Sequence, residues 1–594
     1  MTPPSAAELF GDGYDREIAE FRAANALDTP PERPIITLVP GEAPEAVDQA
    51  ERLLVARASE LRIYQRAGEV VRIVALDAEQ TAGPIRKPAG TVQLAPVSAV
   101  ALTEEFDRVA AWERLRQGRD GPESRRVDCP ARIAAAYLAR IGAWRLPVLA
   151  GVIAAPIMRG DGTILRSAGY DAATGLYLAG NGWPTIPSAP TGLDAHHALA
   201  VLVAPFAEFP FVEPEDRSVL LAAILTALQR RLLPAAPMFG FSAPAKRTGK
   251  SLLAEAVGII ATGQPAPAMA VSSDREETRK AVVSILREGH SIVNLDNMDH
   301  PLGSADLARA ITQGEYADRL LGESKLLLLP TNLTWLATGN NLAFRGDLAV
   351  RALLCRLDAQ AERPEERSFT IANLKAHIAA HRAELIAAAL TILRAYHVAG
   401  RPAQNLPPWG GFEEWSGLIR SALVWLGEAD PCASRQHVIE DDPDREQAEA
   451  LLTAWHRAFE SRAVQISEAI DRAKNDQDLL GAIVSVAPAK ADPRQPDARR
   501  LGWWCRENAN RIIGGLRLSR ATGERRSGAL WRVAPPVGRR EVEVSEVSEV
   551  FEVFLGQQKT DQAAHERGIN FDGEEKTSKT SKTSADPGHK RGEA

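Results

Sequence analysis

Residues 238–262, MFGFSAPAKRTGKSLLAEAVGIIAT, constrain this chain more than any other stretch. The apolar run 238–241 reads as a buried strand. A loop follows, ending in Gly249-Lys250-Ser251, and a helix-forming run begins at Leu252. Strand, loop, Gly-Lys-Ser and helix is the setting in which a nucleotide's phosphates are held. Loop N–H groups and the helix N-terminus face the phosphates. The candidate binding set is Thr248, Gly249, Lys250 and Ser251. Lys250 is placed to reach the β- and γ-phosphates and the Ser251 hydroxyl to ligate Mg²⁺, so ATP and Mg²⁺ are the expected cofactors. One residue departs from the pattern. Pro244 stands where a Gly usually opens the loop, and Pro neither adopts positive φ nor donates an N–H.

Downstream, Ser291-Ile292-Val293-Asn294-Leu295-Asp296-Asn297 is a β-rich run ending in a carboxylate. A strand-end acid beside the phosphate-loop strand is where Mg²⁺ is held, which makes Asp296 the candidate. Asn297 follows, where a Glu often serves as base. It can orient a water but cannot take its proton, leaving Asp299 and Glu288 as substitutes by charge. The run 333–337 reads as a third core strand and leads into Thr338-Gly339-Asn340-Asn341. Asn340 is placed to hydrogen-bond the γ-phosphate or the attacking water. Arg351 and Arg356 are candidates for an arginine given to a neighbouring subunit's nucleotide. Either reads equally as a plain surface helix residue. The expected catalytic set is Lys250, Asp296, Asn340, Arg351 and Arg356.

A chain of 594 residues should hold about four domains at roughly 150 residues each. Polar residues 1–30 read as a disordered lead-in. Residues 31–120 read as a small α+β domain, with a strand at 35–39, a helix at 45–61 and a hairpin of 63–66 with 70–74. No DxD pair of metal-binding carboxylates occurs between residues 35 and 115, so a polymerase or primase site there is unsupported. A second unit spans 125–235, its Gly169–Tyr177 turn region reading as scaffold and its last helix running into the phosphate-loop strand. Residues 236–400 form the α/β core, and 401–475 a helical, Trp-rich lid or adaptor. His377 and His381 lie at i, i+4, but Ile378 occupies the position where a metalloprotease needs Glu, so the pair reads as structural. The four cysteines form no CxxC, excluding a disulfide framework or zinc ribbon. No apolar stretch is long enough to span a bilayer, and no secretory signal opens the chain. A cytoplasmic protein without membrane contact is expected.

Net charge is −7, so any nucleic-acid binding must come from a local patch. Residues 476–535 supply one. Helices at 477–486 and 499–512 precede strands at 515–518 and 529–533, an arrangement resembling a winged helix. Between residues 499 and 532 nine arginines meet two glutamates, a local balance of +7. Arg517, Arg525 and Arg526 are the candidate contacts to duplex DNA, Arg525 and Arg526 at the hairpin tip. A basic protein-docking domain would carry the same charge. Residues 536–594, with Glu-Val repeats and a Thr-Ser-Lys tract, read as a disordered tail.

The order of phosphate loop, Val-Asn-Leu-Asp-Asn, Ile-Thr-Gln-Gly-Glu-Tyr, Ala-Thr-Gly-Asn-Asn and the Arg pair resembles the superfamily 3 helicase core of phage, plasmid and poxvirus primase–helicases, within the wider AAA+ ATPases. The segment containing Gly-Tyr-Asp-Ala-Ala-Thr-Gly-Leu resembles the domain preceding that core in the poxvirus-type proteins. The resemblance covers about residues 125–400. It implies a P-loop AAA+-like ATPase fold, with 125–235 as a helicase-associated domain. It also implies a homo-oligomeric ring, a hexamer in the family, with single-stranded DNA in its channel. A hairpin ahead of the Asn-bearing strand carries a basic residue into that channel in the family, which points to Lys325; a solvated lysine fits its sequence setting as well. The function implied is an ATP-dependent DNA helicase-like motor acting in replication of a phage or mobile element. Pro244 and Asn297 depart from the family pattern and keep a second reading open, a nucleotide-gated DNA-binding protein with weak or no hydrolysis.

Overall fold

The computed structural model describes residues 33–82, 85–87, 89, 92–117, 122–270, 274–319, 326–521 and 529–536. They form a mixed α/β structure. Its largest sheet holds five parallel strands: β1 (Met238–Ala243), β2 (Ala268–Met269), β3 (Ile292–Met298), β4 (Thr334–Asn340) and β5 (Ala352–Arg356). In space they run β5-β1-β4-β3-β2. All six residues of β1 are buried, as expected of a central parallel strand covered on both faces.

Three helices frame the strands: α1 (Pro214–Gln229), α2 (Lys250–Thr262) and α3 (Arg275–Glu288). From Ser218 to Gln229 every residue of α1 is buried. A helix apolar on all sides belongs in a core rather than on a surface. Arg351 and Arg356, for which a surface helix was one reading, instead flank and end a strand, β5, paired in parallel with β1 from Met238↔Ala352 to Ser242↔Arg356. Its residues Ala352 to Cys355 are all buried, so a continuous apolar run was the true signal and no helical stripe exists. Leu326–Pro330 lies outside the central sheet and pairs antiparallel with Glu315–Arg319.

Ahead of this core, Ile35–Leu38 pairs in parallel with Ala111–Gln117, which pairs antiparallel with Pro122–Val127. Leu54, Phe106, Trp112 and Tyr137 fill the adjoining core, which extends to Leu146. The hairpin of Ile63–Arg66 with Glu69–Ala75 turns through Ala67 and Gly68, both at positive φ (53° and 74°), the geometry favoured in two-residue hairpin loops. A second hairpin, Gln80–Ala82 with Ile85–Lys87, adds antiparallel to β2 and caps that edge of the central sheet. Gly169–Asp171 and Leu176–Leu178 form the short hairpin expected there, with Thr174 Oγ1 and Gly175 N both donating to Asp171.

Residues 373–400 form two helices, Leu374–Ala380 and Arg382–Val398, bent by 72°. His377 and His381 stack with ring centroids 4.2 Å apart, and the His381 ring nitrogen meets the His377 carbonyl at 2.9 Å. Among the described residues no single helix is long and apolar enough to cross a membrane. All four cysteines are buried and unpaired.

By its contacts the chain divides between Leu451 and Leu452, inside the helix Pro443–Phe459. In the second unit, helices Ile466–Ala473, Gln477–Val486 and Ala498–Glu507 accompany a four-stranded sheet ordered Val464–Gln465, Leu530–Ala534, Leu516–Ala521, Ile512–Ile513. The helix expected to reach residue 512 stops at Glu507. Asn508 folds its amide back onto the Trp504 carbonyl, and Asn510 turns the chain at φ 65°.

Candidate nucleotide site

The C-terminal ends of β1, β4 and β3 lie side by side, the place where open parallel sheets form ligand crevices. After β1 the chain turns through residues 244–249, with Arg247 at φ 61° and Gly249 at φ 111°. Glycine is required at 249 on two counts. The left-handed backbone disfavours a side chain, and a Cβ there would fall 2.8 Å from the Phe209 ring. Helix α2 starts at once, at Lys250, so the amides of its first turn have no intrahelical acceptors.

Lys250 is the hub. Its Nζ donates to the Ala245 carbonyl and to Asn340 Oδ1, each at 2.8 Å. Thr248 Oγ1 donates to the same carbonyl at 2.9 Å, which closes the loop on itself. Lys250 is buried, and burial lowers its pKa. Its two acceptors are neutral. A buried ammonium held only by neutral oxygens is a favourable seat for an anion.

Asp296 is the second focus. Its Oδ1 accepts from Thr338 Oγ1 at 2.7 Å, Asn294 Nδ2 at 3.3 Å and Ser251 Oγ at 3.5 Å. Lys250, Ser251, Asp296 and Asn340, expected from three separate stretches of sequence, are therefore brought together. Sequence reasoning missed Thr338 and Asn294. Both were legible in principle, because they lie two residues before Asn340 and Asp296 and so share a strand face with them.

Asn297 has a backbone reason. The β3–β4 register shifts between Leu295 and Met298, and Asn297 sits in that irregularity at φ 54° with its N–H on Thr338 Oγ1 at 3.0 Å. Asn tolerates left-handed backbone better than Glu does. Of the two substitute bases, Glu288 pairs with His290 at 2.8 Å ahead of β3, at the opposite end of the strand from Asp296. This placement removes it from the site. Asp299 lies at the correct end, exposed and held by His300 at 2.7 Å.

The two arginines separate. Arg351 precedes β5, and its carbonyl accepts the Met238 N–H at the start of β1. It lies at the sheet end opposite the loop, roughly 17 Å away for five residues of strand. Its guanidinium donates to the Asp347 carbonyl at 2.7 Å. Arg356 ends β5 beside Ser242 and pairs with Asp216 at 3.4 Å. Asp216 is fully buried, accepts the Arg356 N–H at 2.8 Å and caps α1 through the Glu213 N–H. Desolvation raises its pKa.

No family model and no curated protein matches the chain.

Of the candidate DNA contacts, Lys325, Arg525 and Arg526 lie outside the described residues. The strands leading to the Lys325 segment, Glu315–Arg319 and Leu326–Pro330, do form a hairpin. Arg517 is exposed on Leu516–Ala521, donates to Asn510 Oδ1 at 3.2 Å and lies diagonal to Arg532 across the strand pair. Among the described residues no three His, Cys, Asp or Glu side chains cluster to hold a metal.

Proposed function

We propose that this chain is an ATP-dependent motor on DNA, a superfamily 3 helicase-like ATPase of the phage or mobile-element type. The observation that carries this reading is the convergence of Lys250, Ser251, Asp296 and Asn340 at the ends of three adjacent parallel strands. In it the 244–249 loop and the first turn of α2 hold the phosphates, and Lys250 exchanges its neutral acceptors for phosphate oxygens. The Ser251 hydroxyl and the Asp296 carboxylate are oxygen donors 3.5 Å apart, a pair suited to Mg²⁺ when the nucleotide's phosphates complete its shell. Bound Mg²⁺ would neutralise phosphate charge. Thr338 orients the carboxylate, and Asn340 positions the attacking water.

Arg351 serves a neighbouring subunit in a ring, because its own nucleotide site is at the other end of the sheet. Arg356 is committed to Asp216 within its own chain and acts as a structural residue. The second unit, with three helices and a strand pair bearing exposed arginines, supports the winged-helix-like DNA-binding reading.

The rival, a nucleotide-gated DNA-binding protein without efficient hydrolysis, is favoured by Asn297 and by the distance of Glu288 from the site. Strand displacement on a forked duplex separates the two. The motor reading predicts ATP- and Mg²⁺-dependent unwinding. Binding of ATP and DNA without displacement or turnover would favour the rival.

A further inference from the structure

The helix Ala498–Glu507 presents a stripe that the duplex-binding reading leaves unused. Leu501, Cys505 and Asn508 face the core and are buried. On the opposite side Arg499, Trp503 and Arg506 follow one another at i, i+4 and i+7, which places them on one helical face. Arg499 and Arg506 are exposed, and Trp503 is 60% exposed. Between two exposed cations, the ring offers a large, rigid aromatic face to a ligand. Arg506 also lines a cleft of about 240 Å³ with Gln465, Ser467, Gly502 and Trp531. Glu507 is the one acid on this helix.

An indole has a single donor and cannot make the bidentate contacts that read base edges in a groove. It does offer a flat face on which a base can stack. In a duplex the base faces are already stacked on each other, so only unpaired bases can use it. Arginines flanking the ring supply the charge for the backbone of the same strand. From this geometry we infer that the C-terminal unit holds single-stranded nucleic acid, with Trp503 as the stacking platform and Arg499 and Arg506 on the phosphates. The inference rests on the nucleic-acid reading of this unit and adds an unpaired strand, held on this helix, to the duplex as its ligand.

The test uses the full-length protein and an oligothymidylate carrying 5-iodouracil, which crosslinks to a stacked aromatic ring on irradiation. Trypsin releases residues 501–506, and fragmentation distinguishes Trp503 from Trp504. The expected result is crosslinking at Trp503 with the single strand, suppressed when the same strand is in a blunt duplex. Trp503→Ala should weaken single-strand binding on the order of tenfold, within the 1–3 kcal/mol typical of one stacked base, and leave blunt-duplex binding unchanged. Trp503→Phe should retain most of the affinity. A strand that binds without crosslinking residues 501–506, or equal losses on strand and duplex, overturns the inference and leaves duplex binding standing. Failure of the wild-type protein to bind either form sinks both.

Discussion

At the scale of single residues, chemistry and backbone geometry divide the candidates. Lys250 combines burial, neutral acceptors and a position at the start of α2. Asn297 shows the opposite influence, a residue type chosen by its φ of 54°. Asn297→Gly should therefore be nearly neutral in thermal unfolding. Asn297→Val should cost about 1–2 kcal/mol, the penalty of left-handed backbone for a side chain. Equal melting temperatures for the Gly and Val variants would remove the backbone explanation. Arg356 invites a different test. Removing it leaves the Asp216 carboxylate buried without its ion-pair partner, so Arg356→Ala should destabilise by about 3–5 kcal/mol. The sign of the pH dependence follows from the raised pKa of Asp216. A carboxyl whose folded pKa exceeds its unfolded value is least costly when protonated. The penalty in Arg356→Ala should thus shrink as pH falls into the carboxylate range. A variant with normal stability but slow ATP turnover would instead make Arg356 a catalytic residue.

At the scale of elements, β5 fixes where Arg351 stands. Had residues 351–358 been a helix, the side chain's reach would be open. As the residue entering a strand parallel to β1, it is held at the far end of the sheet from its own loop. Arg351→Ala should bind ATP normally and hydrolyse it about 10³–10⁵ times more slowly, the range for an arginine supplied in trans. Mixed with wild type before assembly, it should depress activity more than in proportion to its share. A linear titration, or a strictly monomeric protein, would contradict the ring. These elements also show what was legible in the sequence. Strand β1, its loop and α2 could be read because an apolar run, Gly-Lys-Ser and a helical run succeed one another. The end of β3 could be read because a carboxylate closes an apolar run. Strand β5 could not, because a short, wholly buried segment has neither the period of a strand with one wet face nor that of a helix. Nor could the register shift at Asn297, since it depends on pairing with β4, about 40 residues further along the chain.

At the scale of the whole molecule, the central sheet is not built from the core sequence alone. The hairpin Gln80–Ala82/Ile85–Lys87 caps its β2 edge, so the N-terminal region and the core share one sheet. That joint could not be seen in local sequence, which places the hairpin some 180 residues from β2. The second unit is separable. Val464–Gln465 pairs with Leu530–Ala534, so a chain cut after residue 475 would strand buried Val464 and Ala469 without their sheet. A chain ending after Leu451, where the two units divide, should keep its ATP turnover and lose most of its DNA affinity. In the full chain, Arg525→Ala with Arg526→Ala should make the salt dependence of duplex binding shallower by about one to two units, roughly 0.9 per lost phosphate contact. Unchanged salt dependence would assign the patch to another partner. The central claim, that Lys250, Ser251, Asp296 and Asn340 form a working nucleotide site, is tested most directly by ATP hydrolysis of the purified full-length protein beside Lys250→Ala, with and without single-stranded DNA. The expected result is Mg²⁺-dependent turnover stimulated by the strand, abolished in a Lys250→Ala protein of unchanged melting temperature. Turnover that survives in well-folded Lys250→Ala, or a wild-type protein that neither binds nor hydrolyses ATP, would contradict it.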